Sequence, residues 1–212
     1  MTRIKMCGLR RPEDIAAVNE VRPDFAGFIL SPRFSRAVTL ETQQELSRQL
    51  SPGILRVGVF VDETVDFIAG CTGAGTLDVI QLHGHEDQQY LAALRERLRR
   101  LSGGLAEKIQ IFQAFQVKSE ADVRAAERSS ADRILLDAGT GNGVRFDWDI
   151  AGMCRRPFLL AGGLNPENVG EAIARLRPWG VDVSSGIETD RVKDPAKIRA
   201  FAEAVRRADA VR

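Results

Sequence analysis

The chain has 212 residues, 44% of them hydrophobic, and its 30 Lys and Arg against 29 Asp and Glu give a formal net charge of +1. This length can bury a sizeable core, and we expect a single domain over residues 1–212 because no linker-like stretch rich in Gly, Ser or Pro interrupts it. The near-zero charge argues against nucleic acid or an anionic membrane as the main partner and favours a small ligand.

Short apolar segments alternate with longer charged segments of helical periodicity along the whole chain. The predicted strands are, in order, RIKMC (3–7), FAGFIL (25–30), LRVGVFV (55–61), LDVIQLH (77–83), IQIFQAF (109–115), RILLD (133–137), PFLLAGG (157–163) and VDVSSG (181–186). The predicted helices follow them at 11–21, 40–50, 62–73, 86–101, 119–129, 147–154, 165–177 and 194–208.

Strict alternation of strands and helices implies parallel strands, and eight such units close into a (β/α)8 TIM barrel, here with short loops. An open doubly wound sheet is the alternative. It is disfavoured because no G-x-G-x-x-G motif follows the first strand.

The cysteines and the lengths of the apolar segments indicate in which cellular compartment the protein is expected. Cys7, Cys71 and Cys154 are odd in number and lack metal-site spacing, so we expect reduced thiols and no bound metal. The apolar runs are far shorter than the roughly 18 residues of a membrane span, and no apolar signal segment follows the first charges. These features predict a cytoplasmic protein with no membrane partner.

In a TIM barrel the functional residues gather where the strands end. The predicted strand ends are Cys7, Ser31, Asp62, His83, Phe115, Asp137, Gly162 and Ser184. Side-chain alternation puts Cys7 on the face turned into the barrel, with Lys5 about 7 Å below it. A cation at that distance favours the thiolate over the thiol, although position alone fits an inert buried thiol better.

The same alternation puts Asp137 at the mouth end of RILLD, before the glycine-rich AGTGNG. Taken alone, this aspartate is as readily a loop cap as a catalytic group. Together with Cys7 it forms an acid and a base that face one cavity from different strands, which predicts proton-transfer chemistry.

Two glycine-containing segments, LLAGG and VDVSSG, end the strands where many barrels bind phosphate through backbone N–H groups. Either segment alone is equally a tight turn, but both at these two strands predict a phosphate site. The residues expected to hold the phosphate are Gly162, Gly163, Ser184, Ser185 and Gly186.

Other polar residues near the carboxyl ends of the predicted strands, here called the mouth of the barrel, have two possible roles each. Arg33 and Arg36 in SPRFSRAV are either solvated charges or a fork for a substrate carboxylate. His83 is either an acid/base or a hydrogen-bonding group of the mouth, whereas His85 is expected to be exposed. Two strand residues complete the predicted substrate-binding set: Gln81 and Asp182.

Several segments, in this order, resemble the phosphoribosylanthranilate isomerase family of tryptophan biosynthesis: KMCGLRRPED, GVFVDE, VIQLHG, LLD, FDW, LLAGGLNPENV and VDVSSGIE with KDPAKI. The resemblance implies a barrel that performs an Amadori rearrangement of N-(5-phosphoribosyl)anthranilate to 1-(2-carboxyphenylamino)-1-deoxyribulose 5-phosphate, without metal or cofactor. It also implies that Cys7 is the general base, Asp137 the general acid and Arg36 the group that holds the anthranilate carboxylate.

The sequence departs from the family pattern at a few positions, none of them a proposed catalytic group. Asp62 stands where the family often has Asn, Ala37 where it has an aromatic residue, and Gln113 where it has Lys. Val144-Arg145 replaces Lys-Thr before FDW, and the loop after Asp137 is expected to be short.

Two alternative functions stay open. One is another sugar-phosphate isomerase or epimerase on the same barrel, and the other is a non-catalytic barrel that binds a phosphorylated ligand. Both would keep the phosphate site, but neither accounts for Cys7 and Asp137 together. We expect a phosphorylated small molecule as the partner, and the sequence is compatible with a monomer or a homodimer.

Overall fold

The structure, a computed structural model, describes residues 1–101, 108–137 and 148–211. The barrel strands are β1 (Arg3–Cys7), β2 (Phe25–Ile29), β3 (Leu55–Phe60), β4 (Val79–Leu82), β5 (Gln110–Gln116), β6 (Arg133–Asp137), β7 (Phe158–Ala161) and β8 (Gly180–Val183). Each strand pairs in parallel with its neighbours in chain order, and β8 pairs with β1 to close the barrel. The predicted (β/α)8 barrel is therefore confirmed.

Helices follow the strands in strict alternation: α1 (Pro12–Val21), α2 (Leu40–Arg48), α3 (Val65–Gly73), α4 (Gln88–Arg99), α5 (Glu120–Glu127), α6 (Trp148–Gly152), α7 (Val169–Leu176) and α8 (Pro195–Ala210). Several begin at residues whose side-chain oxygen accepts a backbone N–H of the first turn, as Thr39, Asp87 and Ser119 do. None of the helices in the described ranges combines the length and apolar character that a bilayer crossing requires.

The last two barrel strands are shorter than predicted. Strand β7 ends at Ala161 because Gly162 and Gly163 have φ angles of 91° and 66°, a conformation that turns the chain out of the sheet. Strand β8 ends at Val183, and Ser185–Ile187 forms a single 3-10 turn. The predicted phosphate residues thus lie in turns above the strands, where their backbone N–H groups are outside the barrel ladder.

A small hairpin between β8 and α8 was not predicted. It consists of β9 (Glu188–Thr189) and β10 (Val192–Lys193), which pair antiparallel so that Lys193 lies opposite Glu188. Its two-residue turn puts Asp190 and Arg191 at φ angles of 50° and 63°. Hairpin turns of this kind favour Asn-Gly or Asp-Gly, so Asp-Arg gives only a weak sequence signal.

Alternation along the strands divides the apolar residues between two environments, as expected. Ile4 and Met6 of β1 pack against the helices, whereas Cys7 belongs to the cluster inside the barrel. At the amino-terminal end of the barrel, the rings of Phe25, Phe112 and Trp179 contact one another with centroids 5.5–6.3 Å apart. These rings occupy the interior at that end, so we expect a ligand to bind at the opposite end, where the strands finish.

The loop after Asp137 lies outside the described residues. This range, 138–147, contains AGTGNG, Val144 and Arg145. The predicted shortness of the loop and its departure from the family pattern therefore stay predictions.

Candidate active site

Cys7 is the last residue of β1, and its side chain is almost fully buried at the top of the barrel interior. Its neighbour across the ladder is Gly27 of β2. A Cβ atom at position 27 would lie 2.9 Å from the Cys7 Sγ and 3.1 Å from its Cα, closer than such atoms approach in proteins. Gly27 therefore makes room for the thiol. The lone glycine inside FAGFIL is a sequence signal for such a close approach, and Gly27 was not among the predicted site residues.

Lys5 lies one layer below Cys7, as predicted, and is completely buried. Its Nζ donates a hydrogen bond of 2.9 Å to Oδ1 of Asp182 on β8. Burial alone would lower the pKa of Lys5, but Asp182 and, to a smaller extent, Cys7 outweigh burial and raise the pKa above its ordinary value. Lys5 is therefore a permanent cation beneath the thiol. In this structure Asp182 is the partner of Lys5, and its predicted contact with substrate stays a prediction.

Asp137 is the last residue of β6 and lies two positions after Leu135, on the same face of the strand. Leu135 belongs to the interior cluster. His83 Nε2 lies 3.1 Å from Asp137 Oδ2, and His83 Nδ1 lies 3.3 Å from Gln81 Nε2. With the Gln81 amide donating to Nδ1, the imidazole proton is on Nε2 and points at the Asp137 carboxyl. The structure thus brings three of the predicted site residues into one chain of hydrogen bonds, a contact that strand spacing alone could not show.

Gln81 is almost completely buried within β4, on the same face as the interior residue Val79. Its Oε1 has no hydrogen-bond partner among the residues that the structure describes. Because an unpaired buried acceptor is costly, this oxygen is suited to accept a hydrogen bond from a ligand hydroxyl.

The two glycine turns after β7 and β8 lie against each other. A Cβ atom at Gly186 would overlap the carbonyl oxygen of Leu164, so only glycine lets the 3-10 turn approach the loop after β7 this closely. At Gly163, by contrast, a Cβ atom would meet nothing within 4 Å. Gly163 therefore faces open space beside the packed turns, where an anion would have room to contact backbone N–H groups.

Three loops converge on Gly8, which directly follows Cys7 and has a φ of 77°. A Cβ atom here would lie 3.2 Å from Arg36 Cδ, 3.3 Å from Ser184 Oγ and 3.6 Å from Lys193 Nζ. The predicted carboxylate-binding arginine, the predicted phosphate serine and an unpredicted lysine are thus neighbours of the catalytic-cysteine candidate.

Arg36 pairs with Glu188, a residue that the sequence analysis did not single out. Arg36 Nε donates to Glu188 Oε1 at 2.9 Å and Nη2 donates to Oε2 at 2.8 Å. Lys193 Nζ lies 2.8 Å from the same Oε1 and 2.9 Å from the carbonyl oxygen of Ser184. The hairpin β9–β10 therefore supplies two charged side chains to the mouth.

Arg33, the alternative carboxylate ligand, lies at the rim. Its Nη2 donates to the Val61 carbonyl at 2.6 Å and lies 3.3 Å from Asp62 Oδ2, and its guanidinium lies over the Phe34 ring at 5.3 Å. These contacts link the loops after β2 and β3. They leave Arg36 as the arginine nearer to Cys7.

Two of the departures from the family pattern have structural partners. Asp62 Oδ1 accepts a hydrogen bond of 2.6 Å from the His85 backbone N–H, which joins the loops after β3 and β4. Gln113 lies on the helix-facing side of β5, donates to the Glu86 carbonyl at 2.6 Å and accepts from Ser129 Oγ at 2.6 Å. Gln113 is therefore a structural residue outside the barrel interior.

The other residues named from the sequence differ in how deeply they are buried. Phe115, expected at the mouth as a strand end, instead packs on the helix side of β5. Ser31 is buried and accepts the Val61 N–H at 2.9 Å. His85 is exposed, as predicted. Cys71 and Cys154 pack against the two outer clusters, and burial is the first cause that raises both of their pKa values.

The structure is thus a (β/α)8 barrel with the candidate acid/base residues Cys7 on β1 and Asp137 on β6, and with glycine turns after β7 and β8. A family model described as N-(5'phosphoribosyl)anthranilate (PRA) isomerase matches residues 4–204. The chain belongs to this family, which confirms the resemblance seen in its sequence motifs.

Individual relatives agree with this assignment. The chain is 43% identical over 217 residues to N-(5'-phosphoribosyl)anthranilate isomerase of Acetivibrio thermocellus, covering 99% of this chain and 98% of the relative. A solved phosphoribosylanthranilate isomerase in complex with reduced 1-(o-carboxyphenylamino)-1-deoxyribulose 5-phosphate aligns with a TM-score of 0.82 and 34% identity, covering 97% and 99% of the two chains. Monomers generated from the dimeric enzyme of Thermotoga maritima give the same values of TM-score, identity and coverage.

Proposed function

We propose that the chain isomerises N-(5'-phosphoribosyl)anthranilate to 1-(2-carboxyphenylamino)-1-deoxyribulose 5-phosphate, the step that serves tryptophan biosynthesis. The observation that carries the proposal is the placement of Cys7 and Asp137 at the mouth ends of β1 and β6 in a chain of this family. A binding protein without activity would have no use for this pair, and the family match favours this reaction over that of another sugar-phosphate isomerase.

The reaction needs one proton to be given and another to be taken. Asp137 gives its proton to the furanose ring oxygen, so the bond from that oxygen to C1′ breaks and a protonated Schiff base forms at C1′. Cys7, acting as the general base, then removes the proton at C2′. The electrons of that C–H bond form the C1′–C2′ double bond of an enolamine, which tautomerises to the ketone.

The neighbours of the two groups fit these roles. Lys5 below Cys7 and Lys193 beside Gly8 bring positive charge to the side of the barrel that carries the thiol. His83 holds Asp137 in a fixed orientation through its Nε2. Gln81 Oε1, buried and unpaired among the described residues, is placed to accept a ribose hydroxyl.

The two ends of the substrate bind at different loops. The phosphate binds at the turns formed by Gly162–Gly163 and Ser184–Gly186, and the anthranilate carboxylate binds to Arg36. Holding both ends fixes the sugar between Cys7 and Asp137, which lowers the entropic cost of reaching the transition state.

Activity is tested by adding the purified full-length chain to freshly made phosphoribosylanthranilate and following the loss of substrate fluorescence. We expect turnover without added metal and no change on adding a chelator, since Cys7 and Asp137 supply both proton transfers. A folded protein that gives no turnover would refute the proposal. Activity that a chelator abolishes and a divalent ion restores would refute the metal-free mechanism.

Arg36→Lys keeps the charge but loses the planar fork, so we expect KM to rise about tenfold or more with a smaller change in kcat. Arg36→Met should raise KM further, because it removes the charge as well. Steady-state kinetics on both variants measure this effect.

The control for Arg36 is a substrate-like ligand that keeps the phosphate but lacks the ring carboxylate. Its affinity should hardly respond to either Arg36 variant, whereas Gly163→Val should weaken both ligands, because position 163 has a left-handed φ and faces the anion site. Equal weakening of both ligands by the Arg36 variants would move the carboxylate contact elsewhere, with Arg33 as the next candidate.

Two further predictions carry over unchanged. The chain is expected to be a monomer or a homodimer, and the Thermotoga maritima relative is described in both forms. The cytoplasmic location expected from the sequence also stays a prediction.

A further inference from the structure

Glu188 is nearly inaccessible to solvent, with 6% of its side chain exposed, yet it lies at the mouth beside a partly open arginine with 31% exposed. It sits on β9, directly opposite Lys193 of β10, and the hairpin fixes both side chains relative to the barrel top. A buried carboxylate that contacts two cations at a ligand-binding mouth requires a reason beyond stability, since buried ion pairs contribute little net stability.

The contact uses only one side of the guanidinium. A guanidinium has five N–H donors, and Glu188 occupies the edge formed by Nε and one hydrogen of Nη2. The end-on edge, formed by Nη1 and the other hydrogen of Nη2, has no acceptor among the described residues. That free edge has the geometry for a second bidentate contact with a carboxylate.

The charges of the cluster agree with this geometry. Arg36 and Lys193 carry two positive charges and Glu188 carries one negative charge, which leaves one positive charge for an incoming anion. Burial alone would raise the pKa of Glu188, but hydrogen bonds and charges from Arg36 and Lys193 lower it below its ordinary value. Glu188 is therefore ionised at neutral pH and holds the arginine by a charged contact.

We infer that Glu188 is a positioning residue that orients Arg36, so that the free edge of its guanidinium meets the aromatic carboxylate of the substrate, while Lys193 balances the charge of Glu188. This inference rests on the proposed function and deepens it, because it names what makes the arginine selective for a carboxylated ring. Glu188 itself does not touch the reacting atoms.

Glu188→Gln keeps the shape of the side chain but removes the negative charge that holds the Arg36 guanidinium in place. We expect the affinity for reduced 1-(o-carboxyphenylamino)-1-deoxyribulose 5-phosphate to fall about tenfold in a calorimetric titration. The matching ligand without the ring carboxylate should bind equally to the variant and to the unchanged protein. In turnover assays KM should rise while kcat stays within about twofold, a split that a general loss of structure would not produce.

The matched control is Glu45→Gln, which removes the same charge from an exposed position on α2. It should leave both affinities unchanged. A double-mutant cycle supplies the second control, because Glu188→Gln added to Arg36→Met should cause no further loss if Glu188 acts only through Arg36.

Three outcomes would overturn the inference. Unchanged affinity for the carboxylated ligand would show that Arg36 is oriented without Glu188, and equal weakening of both ligands would show that Glu188 only supports the loop. Tighter binding would show that Glu188 competes with the ligand for Arg36. Because these are binding measurements, they stand whether or not the unchanged protein turns over phosphoribosylanthranilate, and that assay alone decides the proposed function.

Discussion

Replacing Cys7 with Ser should lower kcat at least about 10²-fold, and as much as 10⁴-fold, with little change in substrate binding. The serine hydroxyl fits the space beside Gly27 that now holds the thiol, so the barrel should fold unchanged. A hydroxyl, however, is a far weaker acid than a thiol, so the serine cannot serve as the base that takes the C2′ proton. Single-turnover measurements of product formation, with circular dichroism to check folding, give the result.

Cys154→Ser is the matched control for this change. Cys154 is partly buried on the outside of the barrel, where its Sγ contacts the Arg156 carbonyl oxygen at 3.4 Å, and a hydroxyl can make the same contact. Its turnover should be normal. If Cys7→Ser also turned over normally while folded, Cys7 would not be the base.

Asp137→Asn should lower kcat by a similar 10²–10⁴-fold, because an amide cannot protonate the ring oxygen. The amide oxygen can still accept the hydrogen bond from His83 Nε2, so the side chain should keep its orientation and the substrate its affinity. Stopped-flow measurement of the ring-opening step, compared with equilibrium binding of the product analogue, separates chemistry from binding.

Asp66→Asn is a control for this second change, because Asp66 is an exposed partner of Arg97 on the outer surface. Its kinetics should match those of the unchanged protein. Substantial turnover by a folded Asp137→Asn would make His83 the next candidate for the acid, since its ring contacts the same carboxyl group.

The barrel and the positions of the candidate site residues could be predicted because both follow from local rules. Strand alternation alone placed Lys5 beneath Cys7 and Asp137 at a strand end. The glycines after β7 marked a turn through their own conformational freedom, and there the structure differs from the prediction in where the strand ends.

The ion pairs between site residues could not be predicted, because they join residues far apart in the chain. Lys5 and Asp182 are 177 positions apart, and Arg36 and Glu188 are 152 apart. In the sequence GIETDRVKD, Glu188 has no feature that separates it from an ordinary surface charge. Only the hairpin, with its Asp-Arg turn, places Glu188 opposite Lys193. The space that Gly27 leaves for the thiol likewise exists only once β1 and β2 are paired.

The contacting rings of Phe25, Phe112 and Trp179 fill part of the barrel interior at its amino-terminal end. We therefore expect the substrate to enter, and the ketose product to leave, over the carboxyl ends of the strands. Substrate and product carry the same phosphate and the same benzoate group and therefore compete for the same anchors. We expect exchange of product for substrate at this end to limit turnover once the proton transfers are fast, as product release does in many enzymes.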